Sequence, residues 1–187
     1  MDEKIIIERC RNGCNEYFEI LIKKYENMLY KYCFYLTGSK EEGNDLFQET
    51  WLKAFTKIKT YSDDYSFKNW LLSIASNTYK DWYRKQKRWS KKIKSYFKSD
   101  RMDKEMESIP SNQNLPEEEY ITKDISNELK ELVIKLKTHY KEVIILYYFE
   151  EKSIKEISFI LSIPEGTVKS RLSQAKKILK QRMEVKQ

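Results

Sequence analysis

Residues 153–179 read SIKEISFILSIPEGTVKSRLSQAKKIL, and this stretch predicts two helices joined by a tight turn. Ser153 and Glu156 match a capping box, in which a serine oxygen and a glutamate three residues later satisfy free amides at a helix start. Pro164 stands where a helix tolerates proline, in its first turn. The second helix repeats apolar residues at helical spacing: Val168, Leu172, Ala175 and Leu179. Together these features predict a helix-turn-helix unit.

The face opposite this apolar stripe carries short hydroxyls and cations, which suit base edges and phosphates in a major groove. The N-terminal half of such a helix meets the bases, so the candidates for base readout are Lys169, Ser170 and Ser173. Phosphate contacts are predicted for Thr167, Arg171, Lys176 and Lys177. The same spacing also fits an ordinary helical hairpin with a polar outer face.

Working outward, the chain of 187 residues has 36 basic and 29 acidic side chains, a formal net charge of +7. The basic residues are densest in two separate stretches, 80–98 and 165–187. Two separated basic surfaces favour a polyanion that is contacted at two places. Lysine-rich runs are also common on solvated helix faces. Aromatic residues within the first stretch favour the polyanion, because rings beside cations suit stacked bases.

The rest of the sequence is predicted to be helical. With 4 Gly and 3 Pro, the chain has few turn formers, which argues against a many-stranded sandwich or barrel. Segment 89–123 has little periodicity and two of the prolines, which predicts a linker. The predicted fold is therefore all-α, with two helical domains, 1–88 and 124–187, joined by a flexible linker. The last helix of the first domain is predicted over Phe67–Lys87.

Several function classes find little support in the composition. No stretch approaches the ~18 apolar residues of a membrane span, so we expect no membrane insertion. Three cysteines without a disulfide framework predict a reducing compartment, the cytoplasm. A zinc site built from Cys10, Cys14, Cys33 and His139 lacks CxxC or HxxxH spacing. We therefore expect no metal, no cofactor and no enzymatic activity.

Three segments resemble parts of bacterial sigma factors. Residues 153–179 resemble region 4, although LuxR-type regulators share the 166–172 core. Residues 45–55, DLFQETWLKAF, resemble region 2.2, the helix with which sigma factors grip the clamp of RNA polymerase. Residues 61–77, with Asp81 and Arg84, resemble regions 2.3 and 2.4. Region 2, a linker and region 4, with no room for regions 1.1 or 3, is the order of extracytoplasmic-function (ECF, group 4) sigma factors.

The resemblance implies a protein that binds core RNA polymerase, recognises the −35 and −10 promoter elements and melts the −10 region. It assigns polymerase binding to Asp45, Leu46, Gln48, Glu49 and Leu52. It assigns the −10 element to Tyr61, Ser62, Asn77, Lys80, Arg84 and Arg88. In this scheme the 61–66 loop captures an extruded base, Tyr61 stacks on it and Asn77 contacts its edge. The alternative for Tyr61 is a ring half buried under the loop. It assigns recognition of the −35 element to the residues of the helix-turn-helix named above.

The resemblance also implies an anti-sigma factor, anchored in the membrane, that holds the protein inactive. Free of polymerase, the two domains are expected to tumble semi-independently or to be clamped together by that factor. Two positions depart from the family pattern. Ser162 stands in the turn where glycine is common, so a left-handed backbone there would carry strain. Ser76 replaces a usual arginine, which removes one phosphate contact.

One alternative of another class is a stand-alone transcriptional regulator that binds DNA as a dimer. It would predict a ligand-binding or phospho-acceptor domain at the N-terminus. The sequence has neither a parallel-sheet pattern nor a dimerisation heptad there.

Overall fold

The computed structural model describes residues 2–96 and 127–184, which form helices and loops without a strand. The N-terminal bundle contains α1 (Glu3–Arg11), α2 (Glu16–Thr37), α3 (Lys40–Lys57) and α4 (Phe67–Tyr96), with a short 3-10 turn at Ile58–Thr60. The C-terminal bundle contains α5 (Asn127–Ile134), α6 (Thr138–Ile144), a π-helical segment (Ile145–Phe149), α7 (Ile154–Leu161) and α8 (Glu165–Glu184). The all-α prediction is confirmed.

Two glycines set the packing of α2 against its neighbours. Gly38 ends α2 in the left-handed conformation, with φ of 74°. A Cβ at this position would collide with the Ile134 side chain of α5. At Gly43 in α3, a Cβ would lie 3.2 Å from Cα of Phe34, so the two helices pack closely here. Between them, Ser39 caps α3 by accepting the Glu42 amide at 3.4 Å.

The core of the N-terminal bundle explains one departure from the family pattern. Ser76 is completely buried, and its Oγ lies 2.6 Å from the hydroxyl of the equally buried Tyr32. An arginine at this position would place a charge inside the core, which is costly without a partner. Ser76 therefore forms a hydrogen bond with Tyr32 inside the core, whereas the arginine of the family pattern would contact a DNA phosphate.

Helix α4 is longer than the sequence analysis predicted. The predicted end was Lys87, but the helix continues to Tyr96, so residues 89–96 of the predicted linker are helical. No glycine or proline occurs between residues 67 and 96, and nothing in this stretch forces the helix to end. The remainder of the predicted linker, 97–123, lies outside the described residues.

The helix-turn-helix has the predicted caps. Ser153 and Glu156 form the capping box, because Ser153 Oγ accepts the Glu156 amide at 3.3 Å and Glu156 Oε2 accepts the Ser153 amide at 2.9 Å. Ser162 ends α7 with φ of 53° and ψ of 50°, the left-handed conformation for which the family commonly has glycine. A residue other than glycine is strained there by roughly 1–2 kcal/mol.

The two bundles lie in direct contact, chiefly through α4 and α7. The buried Lys141 donates through Nζ to the carbonyl oxygen of Leu36 at 3.0 Å, across 105 positions of sequence. The rings of Tyr35 and Phe149 meet edge to face, with centroids 4.6 Å apart. In this arrangement the bundles pack on each other, whereas the resemblance implied domains that either tumble semi-independently or are clamped together by an anti-sigma factor. Such contacts follow from side-chain complementarity across the chain, which local periodicity does not reveal.

Within residues 2–96 and 127–184, no helix combines the length and the apolar character needed to cross a bilayer. In the same ranges, no three His, Cys, Asp or Glu side chains converge as metal ligands. Cys10 and Cys33 are buried thiols, and Cys14 is partly buried. The described part of the chain therefore gives the zinc-site alternative no support.

Candidate nucleic-acid interface

Helix α8 has the two faces that its sequence predicts. The apolar stripe of Val168, Leu172, Ala175 and Leu179 is buried. The opposite face is exposed at Lys169, Ser170, Ser173, Lys176 and Lys177, while Thr167 and Arg171 are half-buried. The division into a buried stripe and a polar face is confirmed, and the contact with DNA stays a prediction.

Lys176 lies against two exposed rings of the π-helical segment. Its Nζ is 5.7 Å from the ring centroid of Tyr147 and 5.3 Å from that of Tyr148. A hydrogen bond with Tyr148 raises the pKa of Lys176. The rings therefore hold this cation at one end of the polar face. This contact was not predicted from the sequence, in which two adjacent tyrosines after an apolar run are the signal for it.

Tyr61, the predicted stacking residue of the −10 site, is only 7% exposed. Its hydroxyl donates to the Tyr65 carbonyl oxygen at 2.8 Å. The Arg11 guanidinium donates to the Tyr61 carbonyl oxygen and lies 5.3 Å from the centre of its ring. Phe67 and Trp70 pack against the ring, with centroids 5.7 and 5.4 Å away. In this conformation the Tyr61 ring supports the loop and has no free face for a base.

Tyr65, at the other end of the same loop, has a half-buried ring that lies against the C-terminal bundle. It stacks on Phe159 of α7, with centroids 3.6 Å apart and an angle of 15° between the planes. Of the other predicted residues, Ser62 is exposed and donates to Asp64 at 2.7 Å, and Asn77 is exposed on α4. Tyr65 was not among the predicted site residues, although it lies in the predicted 61–66 loop.

The basic residues of α4 are used unequally. Lys80 is half-buried and donates to the Leu161 carbonyl oxygen at 3.2 Å. Its Nζ also lies 3.7 Å from Oε1 of Glu142. Arg84 and Arg88 are exposed, and Arg84 is 3.4 Å from the Asp81 carboxylate. The outer end of the predicted −10 surface is thus open, while Lys80 contacts the C-terminal bundle.

Glu142 is a buried carboxylate between the two bundles, 1% exposed. Burial raises its pKa to about 7, although the charges of Lys80, Arg171 and Lys141 act in the opposite direction. Burial also lowers the pKa of Lys141 to about 8, against the nearby carboxylates of Glu42 and Glu142. The contact between the bundles is therefore sensitive to the protonation of Glu142.

Asn69, at the start of α4, is 2% exposed and contacts α7. Its Nδ2 donates to Oε1 of Glu156 at 2.9 Å, while its buried Oδ1 has no hydrogen-bond partner. Burial opposes the ionisation of Glu156, but hydrogen bonds from Asn69 and Ser153 outweigh it and lower the pKa to about 2. The neighbouring Lys68 lies 2.9 Å from Oε2 of Glu150.

Helix α3 presents a mixed polar and apolar stripe to solvent. Asp45 and Gln48 are exposed, and Leu52 and Phe55 are 64% and 41% exposed. Their spacing of three, seven and ten residues places them on one helix face. Leu46, also predicted to bind polymerase, is completely buried in the core.

Glu49, the remaining predicted polymerase contact, is turned toward α4. Its carboxylate lies 2.7 Å from Lys53 Nζ and accepts a hydrogen bond from Trp82 Nε1 at 2.6 Å. Lys53 in turn donates to Thr78 Oγ1 at 3.2 Å. These bonds tie α3 to the helix that carries the predicted −10 surface.

The chain is similar to known families along both bundles. The family model for Sigma-70 region 2 matches residues 21–89, and that for Sigma-70, region 4 matches residues 126–179. The ECF RNA polymerase sigma factor SigW of Bacillus subtilis (strain 168) is 29% identical over 181 residues, covering 95% of this chain and 94% of that protein. The ECF RNA polymerase sigma factor SigX of the same organism is 30% identical over 170 residues, covering 91% and 85%.

The fold is also similar to that of a solved structure, the sigma factor RpoE in complex with the anti-sigma factor NepR from Bartonella quintana. The TM-score is 0.68 at 20% identity, over 91% of this chain and 98% of that one. Region 2 and region 4 in this order distinguish the chain from a stand-alone regulator with a shared helix-turn-helix core. The chain belongs to the sigma-70 family of RNA polymerase sigma factors, within its extracytoplasmic-function (ECF) group.

Proposed function

We propose that this chain is an alternative sigma factor that binds core RNA polymerase, recognises −35 and −10 promoter elements and melts the −10 region in the cytoplasm. The observation that carries the proposal is the division of α8 into a buried stripe and an exposed face of hydroxyls and cations, in a chain with a second basic helix. Its reaction is performed by the polymerase, so the chain itself needs no catalytic group.

For the −35 element, we assign base readout to Lys169, Ser170 and Ser173 near the start of α8. Their exposure and their position in the N-terminal half of a recognition helix support this role. The remaining residues of the face bind phosphates in this proposal: Thr167, Arg171, Lys176 and Lys177. Phosphate contacts position the helix, and base contacts select the sequence.

For the −10 element, we assign the surface formed by the 61–66 loop and the part of α4 up to Arg88. Asn77, Arg84 and Arg88 are exposed on α4 and are free to approach a DNA strand. A protein without a nucleotide-hydrolysis motif must recover the cost of unstacking a base from binding, and stacking returns about 1–3 kcal/mol per base. The burial of Tyr61 transfers the stacking role in this proposal to Tyr65.

For core polymerase, we assign the α3 stripe of Asp45, Gln48, Leu52 and Phe55. Two exposed apolar side chains beside two polar ones are a typical composition for a protein-binding face. In this proposal Glu49 and Leu46 do not contact the polymerase but hold the α3 stripe in position. Glu49 fixes α3 to α4, and Leu46 fixes it to the core.

An anti-sigma factor is the proposed regulatory partner. The related fold of RpoE was solved in complex with the anti-sigma factor NepR, which supports this class of partner. A membrane anchor on that partner would couple release of the chain to a signal from outside the cell. Co-purification of the chain with the product of a neighbouring gene would identify it.

In vitro transcription with purified core polymerase tests the proposed function. A library of promoter-containing fragments is transcribed by core polymerase alone, with this chain, and with a Lys169→Ala/Ser170→Ala variant. We expect transcripts that depend on the chain and a weaker −35 preference in the variant, which should still bind core polymerase. No transcript above core polymerase alone, on any fragment, would overturn the proposal.

A further inference from the structure

The C-terminal bundle covers the part of the N-terminal bundle that carries the proposed −10 surface. The covering element is α7, the first helix of the helix-turn-helix, and it contacts α4 from Asn69 to Lys80. Its contacts are chemically asymmetric. Along this surface the N-terminal bundle contributes an aromatic ring, an amide and two cations, and the C-terminal bundle contributes a ring, carboxylates and a carbonyl oxygen.

The ring contact has the geometry of base stacking. The planes of Tyr65 and Phe159 are 15° apart and their centroids are separated by 3.6 Å, which is a face-to-face stack. Most aromatic side-chain pairs instead adopt offset or edge-to-face arrangements, with centroids 4.5–7 Å apart. A nucleobase has a flat π-face that fits the same position on Tyr65.

The polar contacts have the chemistry of a nucleotide. Asn69 donates to the Glu156 carboxylate at 2.9 Å, and its Oδ1, buried and without a partner, is an acceptor left unused. An asparagine amide that both donates and accepts is suited to the edge of a base, best to adenine. While α7 covers α4, which we call the closed state, the Asn69 amide donates a hydrogen bond but accepts none.

The two lysines beside this site are bound to anionic or carbonyl oxygens of the C-terminal bundle. Lys68 lies 2.9 Å from the Glu150 carboxylate, whose side chain is 8% exposed. Lys80 donates to the carbonyl oxygen of Leu161 at 3.2 Å and lies 3.7 Å from Glu142. Lysines in these positions would meet phosphate oxygens if a DNA strand replaced α7.

We propose that α7 of the free chain, together with Glu142 of α6 and Glu150 before α7, occupies the −10 site as a mimic of a single DNA strand. Tyr65 and Asn69 are then the residues that receive an extruded base once this part of the C-terminal bundle leaves. Phe159 takes the position of the base and Glu156 that of its acceptor edge. Glu150, Glu142 and the Leu161 carbonyl take those of phosphate oxygens. The inference rests on the proposed function, because it concerns the same −10 site.

The test is the affinity of the free, full-length chain for single-stranded DNA. Fluorescein-labelled 10-mers of dA, dC, dG and dT are titrated, and Kd is measured by fluorescence anisotropy. Phe159→Ala should bind its preferred 10-mer roughly 3- to 10-fold more tightly than the wild-type chain, since losing the stack opens the closed state. Phe159→Tyr, which keeps the ring, and Lys155→Ala, on the exposed face of α7, should bind like the wild type.

Two further variants keep the test decisive. Glu150→Gln removes the ion pair between Lys68 and Glu150 and leaves the stack of Tyr65 on Phe159 intact. It should also raise the affinity for single-stranded DNA. Adding Tyr65→Ala or Asn69→Ala to Phe159→Ala should remove the gain. Circular dichroism checks that each variant is folded. Equal affinity of the wild type and both opened variants, or no binding by any of them, would overturn the inference.

The proposed function is tested separately, by promoter-dependent transcription with core polymerase. A chain that directs transcription but gains no affinity for single-stranded DNA from Phe159→Ala contradicts the mimicry alone. If Phe159→Ala raises the affinity for single-stranded DNA but the chain directs no transcription, the sigma function is contradicted. The inference that α7 covers a site for single-stranded DNA then still stands. The two failures are therefore distinguishable.

Discussion

Nδ2 of Asn69 donates a 2.9 Å hydrogen bond to the carboxylate of Glu156, the residue that also completes the capping box of α7. One carboxylate therefore holds the start of the helix-turn-helix and joins it to the helix of the proposed −10 surface. Lys152 is a third partner, 3.5 Å from the same carboxylate. The capping of α7 and one of the contacts between the bundles thus share a single carboxylate.

We predict that Asn69→Ala raises the pKa of Glu156 from its low value of about 2 toward the ordinary range. A carboxylate with a lowered pKa contributes stability that is present above its ordinary pKa of 4.5 and is lost as the pH falls toward 2. Loss of the Asn69 bond should reduce that acid-sensitive stability. Carboxyl NMR titration measures the pKa. The control is Asn77→Ala, an exposed amide of α4, and an unchanged pKa in Asn69→Ala would contradict the prediction.

Glu142 predicts the opposite pH dependence near neutrality. Its pKa is raised to about 7, so its contribution to stability is full below its ordinary pKa of 4.5 and is lost as the pH rises through 7. Glu142→Gln should therefore flatten the fall in the free energy of unfolding between pH 5 and pH 8. It should also make the chain more stable than the wild type at pH 8. Urea unfolding at both pH values checks this, and equal slopes in the two proteins would contradict it.

Ser162→Gly should stabilise the C-terminal bundle. The left-handed backbone, with φ of 53°, strains serine by roughly 1–2 kcal/mol, and the greater freedom of unfolded glycine offsets part of the gain. We expect a net increase of about 0.5–1 kcal/mol in the free energy of unfolding. Ser162→Ala is the matched control, since alanine is strained in the same way. A glycine variant no more stable than the alanine variant would exclude strain at this turn.

Leu52→Ala should weaken binding to core polymerase by about 1–2 kcal/mol, or roughly 5- to 30-fold, because truncation removes an exposed anchor of the α3 stripe. Its side chain is 64% exposed, so the fold should be unaffected. Ile20→Ala provides the control, as an exposed apolar residue of the same bundle on α2. Equal losses in both variants, measured by competition with the wild-type chain for core polymerase, would contradict a docking site on α3.

The two classes of contact on α8 should respond differently to salt. Lys177→Ala removes a phosphate contact, so it should weaken binding to all −35 duplexes alike and reduce the salt slope by about 1. Lys169→Ala removes base readout, so it should cost about 1–3 kcal/mol on the preferred duplex and relax discrimination at one base pair. Binding measured at several salt concentrations separates the two. Equal salt slopes and equal loss of discrimination in the two variants would contradict the separation of α8 into phosphate-binding and base-reading residues.

Local features of the sequence predicted most of the fold. The capping box at Ser153 depends on residues within one helical turn, and strain at Ser162 was expected from the glycine that is common there in the family. The buried stripe of α8 follows from helical periodicity alone. The extension of α4 to Tyr96 was not predicted because residues 89–96 were grouped with the aperiodic, proline-containing segment that follows them, although good helix formers without glycine or proline continue a helix.

The closure of the two bundles could not be predicted in this way. Tyr65 and Phe159, or Asn69 and Glu156, are close only because two separately predicted units pack together. The burial of Tyr61, the alternative to stacking, also involves a distant element, since Arg11 of α1 in the same bundle donates to its carbonyl oxygen across 50 positions of sequence. Periodicity shows which face of a helix is buried, but not which distant element covers the remaining faces.

Permanganate footprinting of a promoter from the in vitro library tests the central claim most directly. The wild-type chain with core polymerase should make thymines of the −10 region reactive, and core polymerase alone should not. Replacing Tyr65 and Asn69 by alanine should reduce that reactivity while promoter binding is retained. Thymines that stay unreactive with the wild-type holoenzyme, on a promoter that it occupies, would contradict the account.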